Sequence, residues 1–145
     1  MTQSVQSERL DFSSARNLPP EQAAFFHLGE SKLVAEGVAF FPALGNSTAF
    51  ISDKGVLIVD TAQQRFTPAI LSGLRANYTR APVEAVIYTH GHIDHVTGAE
   101  AIIAEAQNRG DRRPNIIAHR DLPSRFDRYR LLARQNDHKI GRAHV

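Results

Sequence analysis

Between residues 32 and 59, short apolar runs alternate with turn residues. Runs of four or five residues rich in Val, Ile, Phe and Ala are typical of strands. The segment 53–55 (Asp-Lys-Gly) has the composition of a tight hairpin turn between the last two runs. We therefore expect an antiparallel meander, with strands at Lys32–Ala35, Val38–Phe41, Thr48–Ile51 and Val56–Val59.

The pattern changes after Asp60, where helical and strand-like periods alternate. Thr67 followed by Pro68 predicts an N-cap and a first-turn proline, opening a helix. Asp121 is expected to cap a last helix with apolar positions Leu122, Phe126, Tyr129 and either Leu132 or Ala133. Strands followed by strand–helix alternation favour an α/β fold with a mixed sheet. The other elements predicted here are strands Val83–Tyr88 and Asn115–Ala118 and a helix at Gly98–Gln107, with Ala101, Ile102 and Ala106 facing inward.

Composition limits the chemistry that this chain can perform. Its 145 residues, 42% of them hydrophobic, suffice for one domain and include no run long enough to span a membrane. No cysteine is present, so disulfides, thiol nucleophiles and thiolate ligands are excluded, and any metal must be held by nitrogen and oxygen. The polar N-terminus lacks an apolar export segment, and we expect a cytoplasmic protein with no membrane partner.

Positive charge is concentrated towards the C-terminus. Residues 109–142 contain 10 Lys and Arg against 4 Asp and Glu, whereas the rest of the chain contains 7 against 11. No aromatic residues alternate with these charges, as they do on surfaces that stack single-stranded nucleic acid. We interpret the region as a solvated helix face and expect a small-molecule substrate instead of a nucleic acid.

The most informative segment is His90–His95, with the sequence His-Gly-His-Ile-Asp-His. It follows a predicted buried strand and precedes a predicted helix, where active sites are commonly built. Imidazole nitrogens and carboxylate oxygens are the ligands that zinc and its first-row neighbours prefer. Three histidines and one aspartate within six residues therefore predict a metal site.

Spacing suggests how these side chains divide. His90 and His92 are two apart, so in extended backbone both rings point to the same side, and Gly91 avoids crowding a metal between them. As the chain turns towards the helix, Asp94 and His95 can point at a second position. Two adjacent metals would activate a water towards a carbonyl, sulfuryl or phosphoryl group.

The segment Thr89–His95, followed by Gly98, resembles the T-H-x-H-x-D-H signature of the metallo-β-lactamase superfamily. Gly55–Thr61 also resembles the end of that superfamily's opening hairpin and its aspartate. Ile116–His119 and Arg125–Tyr129 look, more narrowly, like the alkyl-sulfatase branch. The resemblance extends over about residues 33 to 137 and implies one half of an αββα sandwich, a mixed sheet with covering helices.

The resemblance also implies roles for individual residues. His90 and His92 would bind a first metal, while Asp94 and His95 would bind a second. Asp94 would be the catalytic residue that orients the attacking water. Asp60 would support the ligands without binding metal. The cofactor implied is a pair of Zn²⁺ ions, with iron or manganese as alternatives.

Further ligands are needed to complete such a site, and the superfamily supplies them from beyond the first motif. His119 follows His95 too closely to be one of them, and we expect His27 and His138 to be structural or surface residues. We accordingly expect the chain to be the N-terminal part of a longer protein and to be inactive alone. With one face of its sheet uncovered, it is expected to be aggregation-prone or partly unfolded.

Three segments follow from this interpretation. Residues 1–31 form a loosely ordered leader, and residues 32–139 form the N-terminal part of a metallo-β-lactamase domain. Residues 140–145 resemble the translation of a synthetic sequencing adapter, so we expect a non-native tail and exclude His144 from the site.

The predicted activity is a metal-dependent hydrolase that uses a metal-activated water on an ester-like substrate, with sulfate esters as a candidate. One alternative is an iron-dependent oxidoreductase or dioxygenase on the same fold, because nitrogen and oxygen ligands do not separate these metals. Another is a nucleic-acid-processing nuclease, supported by the basic C-terminal region. A non-catalytic scaffold is disfavoured by the intact cluster of polar ligands.

Overall fold

The computed structural model describes residues 28–140 of the chain, with side chains described as far as residue 133. Its elements alternate as the hydrophobic pattern predicts, strands first and then strands with helices. In chain order they are β1 (Lys32–Ala35), β2 (Val38–Phe41), β3 (Ser47–Ser52), β4 (Gly55–Val59), α1 (Thr67–Asn77), β5 (Val83–Ile87), α2 (Ile93–Val96), α3 (Ala99–Arg109), β6 (Asn115–Ile117) and α4 (Leu122–Ile140).

The strands form one six-stranded mixed sheet in the order β1-β2-β3-β4-β5-β6. The pairings from β1 to β4 are antiparallel, which confirms the meander, and the β4–β5 and β5–β6 pairings are parallel. Because parallel strands end at the same edge of a sheet, the residues that follow β4 and β5 lie side by side there. This topology brings Asp60 next to Thr89, 29 positions later in the chain.

One face of the sheet carries the hydrophobic core. Helix α1 supplies Ile70, Leu71 and Leu74, and helix α3 supplies Ile102. These side chains pack on inward-facing strand residues such as Ala49 and Ile58, whose Cα atoms are paired across β3 and β4. The remaining buried members of this core are Ala39, Phe41, Val56, Ala62, Phe66, Val83 and Val86.

The opposite face of the sheet carries a second set of apolar side chains that are only partly covered. The register pairs Val38 with Phe50 and Phe50 with Leu57, forming a row across three strands. Phe50 is 45% exposed, and Ile117 at the far edge is 49% exposed. The expected aggregation of the chain through this face stays a prediction.

The start of helix α1 differs from the sequence prediction. Phe66 occupies the N-cap position, and no side chain caps this helix end. Thr67 is the first helical residue instead, and its Oγ1 donates a hydrogen bond to the Thr61 carbonyl oxygen at 3.0 Å. The prediction of Thr67 as N-cap is wrong because its hydroxyl serves a tertiary contact, which sequence spacing does not reveal.

Two helices also depart from expectation. The short helix α2 lies inside the histidine segment, where an extended loop was expected. In α4, Leu122, Phe126 and Tyr129 are half-buried as predicted, but Leu132 is 47% exposed and Ala133 is exposed as well. Among the described residues, no helix is both long and apolar enough to cross a membrane.

Most of the predicted leader and tail lies outside the described residues. His27 and His144 fall there, and the side chain of His138 does too. Residues 28–31 of the predicted leader are described and precede β1, which begins at Lys32 as expected.

Candidate metal centre

Two neighbouring loops build the site. We call residues 60–66, between β4 and α1, the support loop, and residues 88–98, between β5 and α3, the ligand loop. Asp60 extends the strand pairing by donating its backbone N–H to the Ile87 carbonyl at 2.9 Å. It then adopts a left-handed backbone with a φ of 55°, which aspartate tolerates better than most residues. The chain thereby turns sharply and directs the Asp60 carboxylate at the ligand loop.

The three histidines of the ligand loop converge. His90 Nε2 lies 3.0 Å from His92 Nδ1, so the two rings predicted to share one side do so. The ring centroids of His90 and His95 are 4.1 Å apart. Asp94 joins the group, with its Oδ2 3.5 Å from His95 Nε2. The side chains named from the sequence are therefore brought together in one cluster.

Asp60 holds this cluster through three hydrogen bonds. Its Oδ1 accepts the backbone N–H of Thr89 at 2.8 Å, and its Oδ2 accepts the Thr89 hydroxyl at 2.6 Å. Oδ2 also lies 2.9 Å from His95 Nδ1. Asp60 is 8% exposed, so these contacts satisfy a carboxylate that has little access to water.

These contacts determine which ring nitrogens are left available. An ionised carboxylate only accepts, so the single Thr89 hydroxyl proton goes to Asp60, and Thr89 Oγ1 accepts from His90 Nδ1 at 2.9 Å. His95 Nδ1 likewise donates to Asp60. In their neutral form His90 and His95 therefore carry the proton on Nδ1 and direct Nε2 to a metal.

The donor set fits a divalent cation of the zinc type. Ligand atoms of Asp60, His90 and His95 lie within 4.8 Å of one another. Bonds of about 2.1 Å in a tetrahedron place neighbouring ligand atoms roughly 3.4 Å apart, close to the 3.0 Å between His90 Nε2 and His92 Nδ1. Asp60 already makes three hydrogen bonds, which favours its predicted supporting role. The division into two metal positions stays a prediction.

Glycine is needed at position 91 for a reason that the sequence did not show. A Cβ at this position would lie 2.5 Å from Leu122 Cδ1 and 3.4 Å from the Cγ and Cδ atoms of Arg125. Gly91 is buried under the start of α4, so a side chain there would collide with that helix. The expectation that glycine also makes room for a metal stays a prediction.

Thr61 is a functional residue for which sequence reasoning assigned no role. It is 1% exposed, and both its backbone N–H and its Oγ1 donate to the His95 carbonyl, at 2.8 and 3.0 Å. Its Oγ1 also accepts the Gly98 N–H at 3.0 Å. One buried side chain thus fixes the end of the ligand loop and the beginning of α3. The only sequence indication was its place directly after Asp60.

Two glycines permit close approach around the cluster. A Cβ at Gly98 would collide with Thr67 Oγ1 and lie 2.8 Å from the Thr61 carbonyl oxygen. A Cβ at Gly45 would collide with the Asp94 backbone oxygen, and Gly45 has a φ of 82°. The backbone on either side of the ligand loop is therefore packed too tightly for any other residue.

Tyr88 and His119 flank the ligand loop without joining the cluster. The Tyr88 hydroxyl donates to the Val96 carbonyl at 3.1 Å. Burial raises the pKa of Tyr88 above its usual value, and the charge of Asp60 adds to this effect, so the hydroxyl stays protonated. His119 is exposed, with its Nδ1 3.6 Å from Asp121 Oδ2, and it is not among the residues whose ligand atoms converge in the described chain.

The sequence-family comparison agrees with this architecture. Residues 41–133, more than half of the chain, match the model of the metallo-beta-lactamase superfamily. The chain belongs to that superfamily. The matched range contains both loops, and the superfamily's association with metal ions agrees with the converging ligands of the site.

Individual relatives cover the chain only in part. An (R)-specific secondary-alkylsulfatase from Pseudomonas sp. is 39% identical over 62 residues, which are 42% of this chain and 9% of that protein. A metallo-beta-lactamase with a HARLDQ motif from Cronobacter sakazakii (Enterobacter sakazakii) superposes with a TM-score of 0.57 at 20% identity, covering 67% of this chain and 36% of that one.

A double mutant of the sec-alkyl sulfatase PisA1 superposes with a TM-score of 0.55 at 24% identity, covering 67% of this chain and 16% of that one. At these identities the two structures show a shared fold. The chain thus spans about a third or less of the length of these relatives.

Proposed function

We propose that this chain carries part of the metal site of a hydrolase that cleaves an ester-like substrate, with sulfate esters as the candidate class. The observation that carries the proposal is the convergence of His90, His92 and His95 around nitrogens left available by Asp60 and Thr89. A loop with no role in metal binding would leave its histidine rings to hydrogen-bond with water. Rings that are clustered and held in one tautomer instead favour a metal site.

In this proposal His90 and His92 hold one ion, and Asp94 and His95 hold a second. When bound, such a metal would supply the Lewis acidity that activates a water for attack. Asp94, which is half-buried, would orient the attacking water by accepting a hydrogen bond from it. Asp60 and Thr89 keep the rings in the required orientation.

Support for a sulfate ester comes from the alkylsulfatase relative, which is the more similar in sequence of the proteins compared above. The proposed substrate is accordingly a small organic sulfate. Hydrolysis would release an alcohol and inorganic sulfate, and would need neither an oxidant nor a reductant. The remaining ligands of the site are proposed to come from residues outside the present chain.

Metal content and hydrolysis test the proposal together. The protein expressed from the complete gene is expected to contain zinc and to release sulfate from a secondary alkyl sulfate. Asp94→Asn should abolish release, whereas Asp127→Asn, on the exposed face of α4, should leave it unchanged. Stoichiometric iron together with oxygen consumption would contradict the hydrolase.

The same protein can be tested for the alternative activity, the processing of nucleic acids. Binding of RNA or DNA that weakens steeply with salt, combined with absence of sulfate release, would replace the proposed substrate class, because counterion release is the mark of phosphate contacts.

A further inference from the structure

We propose that Arg125 binds the anionic sulfate group of the substrate beside the ligand loop; this inference rests on the proposed function and names a residue for its substrate recognition. Arg125 belongs to the first part of α4. Its position over Gly91, between the two histidines His90 and His92, places an arginine at the candidate metal centre.

The aliphatic part of Arg125 lies against the ligand loop. Its Cγ and Cδ atoms would each be 3.4 Å from a Cβ on Gly91, so the stem covers the glycine that separates two ligands. Gly91 is buried although its neighbours His90 and His92 are exposed. The absence of a side chain at Gly91 therefore allows the Arg125 stem, and with it α4, to lie against the loop.

Tyr129 fixes the guanidinium one helical turn further on. Arg125 Nε donates to the Tyr129 hydroxyl at 3.1 Å, and the guanidinium carbon lies 5.5 Å from the centre of the Tyr129 ring. The hydrogen bond to Tyr129 uses the inner nitrogen, Nε, and leaves the two terminal nitrogens of the guanidinium to bind a ligand. A guanidinium held in place loses less entropy when it binds an oxyanion through two parallel hydrogen bonds.

Several other arginines of the described chain pair with acidic partners. Arg75 pairs with Glu105, Arg109 with Asp111, and Arg130 with Asp127. Within residues 28–133 no carboxylate pairs with Arg125, although its side chain is ordered by Gly91 and Tyr129. An ordered cation beside a candidate metal site, without an internal anion, is suited to an anionic ligand.

The alternative is that the Arg125 stem only covers Gly91. Arg125→Met separates the two roles, because methionine keeps an unbranched apolar stem and removes the charge. Arg125→Lys keeps the charge but loses the planar fork. Arg130→Gln is the matched control, since it removes an arginine from the same helix at a position paired with Asp127.

Sulfate binding can be followed without any assay of activity. Inorganic sulfate is titrated into the ¹⁵N-labelled protein expressed from the complete gene, metal-free and zinc-loaded, while the Gly91 amide and Arg125 Nε–H resonances are recorded. Saturable shifts of both are expected in the wild type. Arg125→Met should weaken binding, read at Gly91, by about tenfold or more, Arg125→Lys by less, and Arg130→Gln not at all.

Two results would contradict the proposed binding of sulfate by Arg125. Unchanged sulfate affinity in Arg125→Met, or no saturable shift in either form of the wild type, would overturn the inference. A parallel titration with inorganic phosphate that binds more tightly than sulfate would overturn the choice of sulfate. Zinc affinity, measured separately by calorimetry, reports on the proposed function: if zinc fails to bind while sulfate binding depends on Arg125, the metal site is contradicted and the anion site stands.

Discussion

The support loop and the ligand loop leave adjacent parallel strands at the same sheet edge, yet they differ in almost every physical respect. In the support loop, Asp60, Thr61, Ala62 and Phe66 are all buried. In the ligand loop, His90 and His92 are exposed, and Ile93 is 55% exposed. Four of the seven residues of the support loop are buried, whereas the ligand loop exposes two of its three histidines.

The difference indicates a division of labour. Buried polar groups in the support loop orient the ligand loop through contacts between residues about 30 positions apart, such as Thr89 with Asp60. The exposed rings are then free to exchange their hydrogen bonds for a metal. Substitutions in the support loop should change stability or metal affinity indirectly, whereas substitutions of exposed ligands should change metal affinity alone.

The largest effect on stability is expected from Gly98→Ala. The added methyl would collide with Thr67 Oγ1 and press on the Thr61 carbonyl, where both loops meet, and should cost about 3 kcal/mol or prevent folding. Urea unfolding measures this loss in the free energy of unfolding. Gly73→Ala is the control, because its nearest contact, Phe41 at 3.6 Å, is an ordinary one and alanine favours the helix. Equal stability of the two variants would refute the tight junction.

The next largest effect is expected from Asp60→Asn, and it should appear in the affinity for metal. The amide can still accept from the Thr89 N–H, but it cannot accept from both His95 Nδ1 and the Thr89 hydroxyl as the carboxylate does. Zinc affinity is expected to fall about 10–100-fold, as for other residues that orient ligands. Calorimetry compares it with Asp53→Asn in the exposed hairpin turn. Identical zinc binding by both variants would remove Asp60 from the supporting role.

Thr61→Val tests the buried hydroxyl at nearly constant volume. Loss of the bonds to the His95 carbonyl and the Gly98 N–H should destabilise the metal-free protein by about 1–3 kcal/mol. Thr48→Val, on the partly exposed face of β3, should change stability by less than about 0.5 kcal/mol. A change no larger than that of Thr48→Val would show that Thr61 does not join the loops.

Tyr88→Phe should have the smallest effect, about 1 kcal/mol, because it removes one hydrogen bond to Val96. Burial, aided by Asp60, raises the pKa of Tyr88 in the folded state. The hydroxyl's contribution is therefore complete below the unfolded-state pKa of about 10 and declines as the pH rises through the higher folded value. Unfolding at pH 8 and pH 11 should show the wild-type advantage shrinking; a growing advantage would reverse the sign argued here.

The clustering of the polar side chains of the ligand loop was easier to predict from the sequence than the distant contacts that hold the loop in place. His90, His92, Asp94 and His95 are adjacent in the chain and carry distinctive chemistry, so their proximity follows directly. The strands were predicted within one residue because the alternation of apolar positions is local. The mixed α/β sheet and the superfamily fold are confirmed.

What escaped prediction depends on contacts between distant residues. Thr67 was expected to cap α1, but its hydroxyl bonds to Thr61. Gly91 was assigned to metal access, but it is covered by Leu122 from another element. Neither contact is encoded in local spacing, because each requires two segments to meet in the folded chain.

Zinc titration of the metal-free protein expressed from the complete gene and of its His92→Ala variant, with thermal unfolding of both, tests the division between the loops most directly. In the described part of the chain, the hydrogen bond and the ring contact of the His92 side chain are both with His90. Wild-type protein should bind zinc, and His92→Ala should lose at least about 100-fold in affinity with metal-free stability changed by less than about 0.5 kcal/mol. Failure of the wild type to bind zinc, or equal zinc affinity in the variant, would contradict the account.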